Sequence, residues 1–317
     1  MKTQTITANR SDNRAARRPL AGLILVLFAA FSFSAKAVII KVAYGYGTQV
    51  TPIVLMALRM AMALPFFIVA IYIIERSNDH PPLSAGDKRR LVGLGVIGFY
   101  LAAYFDFLGL NYISASLERL ILLLYPTFVV LLSAFFLRRA ITAREAVSLI
   151  ISYVGIVIVF YEEFTIAGQN TLLGSAFILA SAAAFAIYLF GSGEMVKRLG
   201  AMRFNAYAMT IACLATLIHF GIQYDDAIAQ LPTEVYGLAL LMAVLSTVIP
   251  TFLMNAGIHH LGASHAAIIS ALGPVMTIFL AYLILNEQLT AVQCLGAGLV
   301  VVGAFVVSSR AKKREVK

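Results

Sequence analysis

Four cations and two carboxylates stand out inside long apolar stretches of this 317-residue sequence. They are Lys36, Lys41, Arg59, Arg119, Asp106 and Glu118, of which Lys41 is close enough to the end of its stretch to act as an anchor. At the centre of a lipid bilayer a charged residue costs at least about 2.5–3.5 kcal/mol, so it normally has a partner, a wet cavity or a route to the surface. Carboxylates and cations held together in a wet cavity could bind an ionic solute and exchange protons with it. The alternative is that these residues pair internally and only hold a helix bundle together.

The stretches that carry these charges are ten segments of about 20 residues, and each is long enough to cross about 30 Å of hydrocarbon. The chain is 61% hydrophobic and only 12% charged, whereas soluble domains contain about 25% charged residues. The sequence therefore predicts an all-α integral membrane protein with ten transmembrane helices and no soluble domain. The predicted segments are residues 20–41, 51–74, 91–111, 115–137, 143–161, 171–193, 204–223, 235–257, 264–285 and 291–308.

The distribution of basic residues predicts which side of the membrane each loop faces. Of the 24 lysines and arginines, 20 lie in the two tails and in the loops 75–90, 138–144 and 197–203, and the loops on the opposite side contain none. Basic loops remain on the cytoplasmic side of a membrane. The pattern predicts cytoplasmic tails at 1–19 and 309–317 in a bacterial inner membrane. The net charge of +9 is a topology signal, so nucleic acid is not expected as a partner.

Two halves of the chain repeat each other at an offset of 148 residues. The register holds without a gap from Gly109 and Gly257 onward, and it aligns Pro126 with Pro274. Because each half has an odd number of segments, the two halves must have opposite orientations. The sequence predicts inverted five-helix repeats at 20–161 and 171–308, an architecture typical of transporters. The paired prolines interrupt helical hydrogen bonding and are predicted hinges, the alternative being packing kinks.

The start of the chain has a second interpretation. A basic run, an apolar run at 20–31 and the sequence Ala35-Lys36-Ala37 are typical of a cleaved signal peptide. However, residues 20–33 align with 172–185 at an offset of 152. This similarity to an internal segment favours retention of the first helix.

The repeat also suggests which faces of the helices line a cavity. Ser270 and Thr277 are spaced along one small, polar face of the ninth segment, and Glu118 lies on the corresponding face of the fourth. Tyr125 belongs to that face too, while Tyr188 in the sixth segment is the counterpart of Lys36. We find no metal-ligand spacing and no phosphate-binding loop, so no metal or cofactor is predicted.

Long stretches around these positions resemble the EamA-type transporters of the drug/metabolite transporter superfamily. The resemblance covers about residues 20–308, and its most specific part is the run from Pro274 to Gly303, which includes "LNEQLT". It implies a central cavity lined by segments 1, 3, 4, 6, 8 and 9, with segments 5 and 10 at the periphery. It also implies transport of amino acids, other metabolites or drugs, commonly as export. The usual Trp-Gly pair of the first segment is replaced by Phe31-Ser32.

These observations predict a secondary transporter that is not an enzyme and acts by proton-linked alternating access as a monomer or homodimer surrounded by lipid. Cations outnumber carboxylates within the segments, which favours an amino-acid-like or organic-acid-like substrate. The alternative class is a non-transporting membrane scaffold or an intramembrane enzyme. The predicted substrate-binding residues are Lys36, Arg59, Glu118, Arg119, Tyr125, Tyr188, Ser270 and Thr277, and Glu118 and Asp106 are the predicted proton-coupling residues.

Overall fold

The computed structural model describes residues 19–76, 82–138, 140, 142–167, 169–223, 228, 231–270, 272–287 and 290–314. Within these ranges the regular structure is helical and contains no strand. Among the described residues, eight helices are long and apolar enough to cross a membrane, and the apolar helices Gly273–Leu285 and Ala291–Gly303 are shorter. The chain is thus all-helical with multiple apolar spans, as in integral membrane proteins. The predicted tail 1–19 lies almost wholly outside the described residues.

Each predicted segment corresponds to one helix or to two helices in line. In the first half these are α1 (Pro19–Tyr44), α2 (Pro52–Arg76), α3 (Ala85–Gly95), a π-helix (Val96–Leu101), α4 (Ala102–Leu110), α5 (Ala115–Leu122), α6 (Tyr125–Phe136) and α7 (Ala143–Ala167). In the second half they are α8 (Asn170–Leu199), α9 (Ala201–Gln223), α10 (Thr233–Ala243), a π-helix (Val244–Val248), α11 (Ile249–Leu261), α12 (Ala263–Ser270), α13 (Gly273–Leu285) and α14 (Ala291–Arg314).

Several helices extend beyond the apolar runs from which they were predicted. The third segment was predicted to begin at 91, but α3 begins at Ala85, because Ser84 and Asp87 form a capping box. Such reciprocal bonds satisfy the first free backbone amides and start a helix in polar sequence. At the other end of the chain, α14 continues to Arg314, into the stretch predicted as a tail.

Irregularities occur at matching positions of the two halves. The π-helical segments begin at Val96 and Val244, which correspond in the 148-residue register. In the fourth and ninth segments a new helix begins at matching residues, Tyr125 and Gly273. The helices that follow each interruption have Pro126 or Pro274 in their first turn. Proline has no backbone N–H and crowds the preceding turn, so the prolines predicted to disturb these helices lie where regular bonding is lost.

The first helix of each half packs mainly against the other half. Helix α1 lies against α11, α12 and α13, and α8 lies against α4, α5 and α6. Helices α2 and α9 pack against each other and against α10 and α3, respectively. We call α1, α2 and α10–α13 the first bundle, and α3–α6, α8 and α9 the second bundle.

Helices α7 and α14 lie beside these bundles and pack most closely against each other. A side chain added at Gly155 would place its Cβ 2.5 Å from the carbonyl oxygen of Gly296, and Gly303 faces Ser148 and Ser152 just as closely. Small residues allow this approach of two helix backbones. The arrangement agrees with the peripheral position expected for the fifth and tenth segments.

Candidate functional site

Charged side chains from both bundles meet where α1 packs against α4 and α5. The Lys36 ammonium on α1 lies 2.5 Å from Oδ2 of Asp106 on α4. The Asp106 side chain is almost fully buried, and that of Lys36 is 19% exposed. This ion pair joins the first bundle to the second.

Glu118 on α5 lies beside this ion pair and is fully buried. Its nearest cation is Arg119, whose Nε is 4.0 Å from Oε2. Within the described residues, no N–H or O–H group donates to either Glu118 oxygen or to Oδ1 of Asp106. The two carboxyl groups are close enough to repel each other when both are ionised. A single proton held between them would supply a donor and remove the repulsion between two buried negative charges.

Arg119 makes a second connection between the bundles. Its Nε donates to Oγ1 of Thr277 on α13 at 3.0 Å, and its Nη2 donates to the carbonyl oxygen of Phe33 on α1 at 3.0 Å. The Thr277 hydroxyl is 3.2 Å from the carbonyl oxygens of Ser34 and Gly273. The guanidinium therefore donates to neutral acceptors, and its one ion pair within the described residues is the 4.0 Å contact with Glu118. We call Lys36, Asp106, Glu118, Arg119 and Thr277 the charge cluster.

Arg59 lies at the edge of the charge cluster. Its side chain is buried, and the guanidinium carbon is 5.0 Å from the centre of the Phe107 ring. Its charge is close enough to act on Asp106, although the two form no ion pair in the described part of the chain. A cation over an aromatic face is partly compensated by the ring electrons, so Arg59 adds positive charge to the region.

Tyr125 and Tyr188 belong to an aromatic cluster that the second bundle forms. The ring of Phe185 contacts both, with centroid distances of 5.4 Å to Tyr125 and 5.8 Å to Tyr188. Tyr188 also packs against Phe99 at 4.7 Å and donates its hydroxyl to Oδ1 of Asn205 at 3.2 Å. Phe99 is part of the first π-helical segment, which places this irregular turn against the aromatic rings.

The structure does not bring Ser270 into the charge cluster. Its hydroxyl donates to the carbonyl oxygen of Ala266 at 2.8 Å and lies 3.8 Å from the sulfur of Met254. The helix is interrupted between Ser270 and Gly273. Ser270 and Thr277 therefore belong to different helices, α12 and α13, and of the two it is Thr277 that contacts Arg119.

Sequence reasoning missed a second polar group, at the start of α5. Oε1 of Glu287 accepts the Ala115 amide at 2.9 Å, while its Oε2 accepts the Ser116 hydroxyl at 2.6 Å and the Ser116 amide at 3.2 Å. Glu163 at the end of α7 accepts the Ser114 amide at 2.7 Å and its hydroxyl at 2.6 Å. Two carboxylates thus satisfy free amides at one helix N-terminus.

Lys41 completes this second group. Its ammonium donates to the carbonyl oxygens of Leu110 and Ile113 at 3.2 and 3.0 Å and lies within electrostatic reach of both glutamates. We call Lys41, Ser114, Ser116, Glu163 and Glu287 the carboxylate clamp. The one sequence signal that could have identified it is the exchange of Arg139 for Glu287 between otherwise similar copies of the repeat.

The described residues contain no group of three His, Cys, Asp or Glu side chains arranged to hold a metal ion. The chemistry available at the charge cluster is ion pairing, hydrogen bonding and proton exchange. An ion-binding group between two helical bundles is an arrangement typical of secondary transporters.

Comparison with known proteins identifies the family. The EamA-like transporter family matches the chain twice, at residues 20–161 and 172–309. The chain therefore belongs to this family of the drug/metabolite transporter superfamily.

Relatives of the chain have names that agree with this assignment. The uncharacterized transporter YcbK of Bacillus subtilis is 35% identical over 309 residues, which covers 95% of this chain and 96% of the relative. The pseudopaline exporter CntI of Pseudomonas aeruginosa is 25% identical, covering 92% and 97%. A protein crystal structure with 17% identity superposes with a TM-score of 0.60 over 93% of this chain and 99% of its own. The family and these names are those of membrane transporters and not of enzymes.

Proposed function

We propose that the protein is a secondary transporter that exports a small metabolite with at least one negatively charged group across the cytoplasmic membrane. The observation that carries this proposal is the excess of positive charge at the junction of the bundles. Lys36, Arg59 and Arg119 provide three cations, and Asp106 and Glu118 provide two carboxylates. An amino-acid-like or organic-acid-like substrate would complement this excess.

Lys36 is our choice for the residue that holds the negative group of the substrate. Its ammonium is the partly exposed member of the ion pair with Asp106, so an incoming carboxylate can reach it. Arg119 would position or neutralise the same group. Tyr125 and Tyr188 would contribute a neutral wall through their aromatic cluster. Ser270 is a weaker candidate because it bonds within its own helix.

The proposed topology is ten transmembrane helices in two inverted repeats, with both ends of the chain in the cytoplasm. The matched π-helical segments, the matched interruptions before Pro126 and Pro274, and the two family matches support the repeat. In inverted repeats, two similar bundles can rock about a site at their interface. The charge cluster has this position, because Lys36 and Thr277 belong to one bundle and Asp106, Glu118 and Arg119 to the other.

Proton coupling is proposed for Glu118 and Asp106. Both are buried, and three of their four oxygens lack a donor in the described structure. Substrate binding at Lys36 would weaken the Lys36–Asp106 ion pair, and Asp106 would then favour a proton as its replacement partner. Release of that proton on one side of the membrane would link substrate movement to the proton gradient.

Export is supported by one relative, the protein named a pseudopaline exporter. Drugs are a second substrate class to include in a screen, because the name of the drug/metabolite transporter superfamily covers drugs as well as metabolites.

Purified protein reconstituted in liposomes would test the proposal with a panel of labelled amino acids and organic acids. We expect saturable flux of at least one anionic compound, which is recovered chemically unchanged. Compound that is converted would instead indicate an intramembrane enzyme. No flux of any compound in the panel, with correctly folded protein in both orientations, would favour the non-transporting scaffold.

A further inference from the structure

The carboxylate clamp joins the two bundles at one end of the molecule. Glu287 follows α13 of the first bundle, and it accepts hydrogen bonds from Ala115 and Ser116 at the start of α5, in the second bundle. A negative side chain at a helix N-terminus is stabilised by the helix dipole. Hydrogen bonds to an ionised acceptor are also stronger than those between neutral groups. The contact is therefore a strong connection between two bodies that alternating access requires to separate.

Two further side chains fix the short connection between α4 and α5. Glu163 of α7 binds the N-cap residue Ser114 through both the amide and the hydroxyl. Lys41 of α1 binds carbonyl oxygens at the end of α4 and in the connection. Positive charge at a helix C-terminus and negative charge at the next N-terminus both match the helix dipoles.

The first half of the chain contains the same turn after its fourth segment. It has no carboxylate at the position that corresponds to Glu287. Asn286 and Arg138 occupy matching positions and both have a positive φ, 53° and 50°. The next residue is Glu287 in one copy and Arg139 in the other. An arginine has no acceptor atoms, so this residue type cannot accept from a helix N-terminus.

Helix packing shows the same asymmetry. Helix α5 contacts α13, whereas the equivalent helices α12 and α6 do not form a comparable contact in the described part of the chain. Helices α5 and α13 thus join the bundles at the clamp end, whereas at the opposite end they are joined through α2 and α9, where Arg203 donates to the Glu75 carboxylate.

We propose that the carboxylate clamp is the gate that closes the transport pathway on the side predicted to face away from the cytoplasm, and that this structure is its closed state. This gate rests on the proposed function, and its residues would control one of the two conformations of the transporter. Opening on that side requires Glu287, assisted by Glu163, to leave the N-terminus of α5.

Spin-label distances across the gate would test this inference. Labels at Asn111→Cys and Tyr282→Cys, two exposed positions outside the clamp, would report on α4 and α13 in a chain whose Cys213 and Cys294 are replaced by alanine. We expect a short-distance population in the otherwise native protein in liposomes. Glu163→Ala with Glu287→Ala should raise the ratio of long to short distances about tenfold or more per carboxylate.

Two matched variants make the result specific. Glu234→Ala removes an exposed carboxylate from the first turn of α10 and should leave the distances unchanged. Glu163→Gln with Glu287→Gln keeps the side-chain shape and is the variant to measure if the alanine protein folds poorly. It should shift the ratio of long to short distances in the same direction as the alanine pair. Unchanged distances in the folded glutamine pair would overturn the gate.

Flux measured in the same liposomes separates this inference from the proposed function. Longer distances in the clamp variants would support the gate even if no tested solute moved. Solute flux with unchanged distances in the variants would leave the transporter assignment in place and overturn the gate alone.

Discussion

The ion pair between Lys36 and Asp106 satisfies two charges that an apolar bundle could not hold separately. Asp106 is almost fully buried, and its only cationic contact at hydrogen-bonding distance within the described residues is Lys36. Removing one member of a buried pair leaves the other uncompensated, typically at a cost of about 3–5 kcal/mol. Because this ion pair joins two bundles, Lys36 is suited to exchange its partner Asp106 for a negatively charged group of a substrate.

We predict that Lys36→Ala abolishes net flux, with a loss of more than tenfold, because the substrate loses its cation and Asp106 loses its partner. Flux into liposomes at matched protein content would measure this effect. The exposed lysine Lys88 on α3 gives the control, since Lys88→Ala should retain native flux.

A destabilised protein could also lose flux, so Lys36→Ala with Asp106→Asn is the second variant. It removes both charges together and should recover thermal stability without recovering flux. Native flux in Lys36→Ala would leave this lysine with a purely structural role.

Glu118 is the residue at which a change of protonation should matter most. It is fully buried, and no described group donates a hydrogen bond to either oxygen. We predict that Glu118→Gln flattens the dependence of flux on pH, because the amide imitates the protonated acid and cannot ionise. Flux measured with equal pH on both sides of the liposome, over a series of pH values, would show this. A variant that keeps the native pH profile would exclude Glu118 as the coupling residue.

Sequence reasoning found most residues of the charge cluster but could not assign their partners. A charge inside an apolar run is conspicuous, so Lys36, Asp106 and Arg119 were evident without a structure. Which acceptor binds Arg119 depends on how the two halves pack, and the sequence does not specify this. Glu163 and Glu287 were missed because a carboxylate in a loop normally faces water.

At the scale of helices, irregular turns recur where the repeat aligns them. Pro250 lies two residues beyond the end of the second π-helical segment and explains this irregular turn in part, because a proline removes one backbone donor. The first π-helical segment has Ala102 at the matching position, so no proline pattern could have predicted it. Such segments are frequent at functional sites, and the first contributes Phe99 to the aromatic cluster.

Substitutions on α13 should affect transport more than substitutions on the peripheral helices α7 and α14. Thr277 is fully buried and accepts from Arg119, so Thr277→Val removes a hydrogen bond to a charged group, worth about 1.5–3 kcal/mol. We predict at least a tenfold loss of flux in Thr277→Val. Val157→Leu and Val302→Leu alter exposed positions and should change flux less than twofold. Equal losses at matched expression would contradict the peripheral assignment.

At the scale of the whole molecule, the sequence predicted an all-helical protein with multiple apolar spans, as the structure has, but not the exchange of helices between the halves. The length of an apolar run identifies a transmembrane segment. Which helices pack against each other depends instead on small residues and on the local shape of the helix surfaces. The packing of α1 against α11–α13, and of α8 against α4–α6, is therefore visible only in the structure. This exchange is what places Lys36 of the first half on the same body as Thr277 of the second.

Topology gives a prediction for the entire chain. Both ends should lie in the cytoplasm, because the opposite arrangement would translocate ten basic tail residues against the positive-inside bias. Two reporter enzymes fused after Lys317, one active only in the cytoplasm and one only in the periplasm, would measure this. Activity of the periplasmic reporter would contradict the even number of spans and the inverted repeat.

Proton-linked flux through the charge cluster is the central claim, and an imposed pH gradient tests it most directly. Liposomes containing the native protein would be loaded at one pH and diluted into another, with the anionic solute identified by the screen at equal concentration on both sides. The account predicts solute accumulation that follows the direction of the gradient, disappears with a protonophore and is absent in Lys36→Ala. Native flux that ignores the gradient would contradict it.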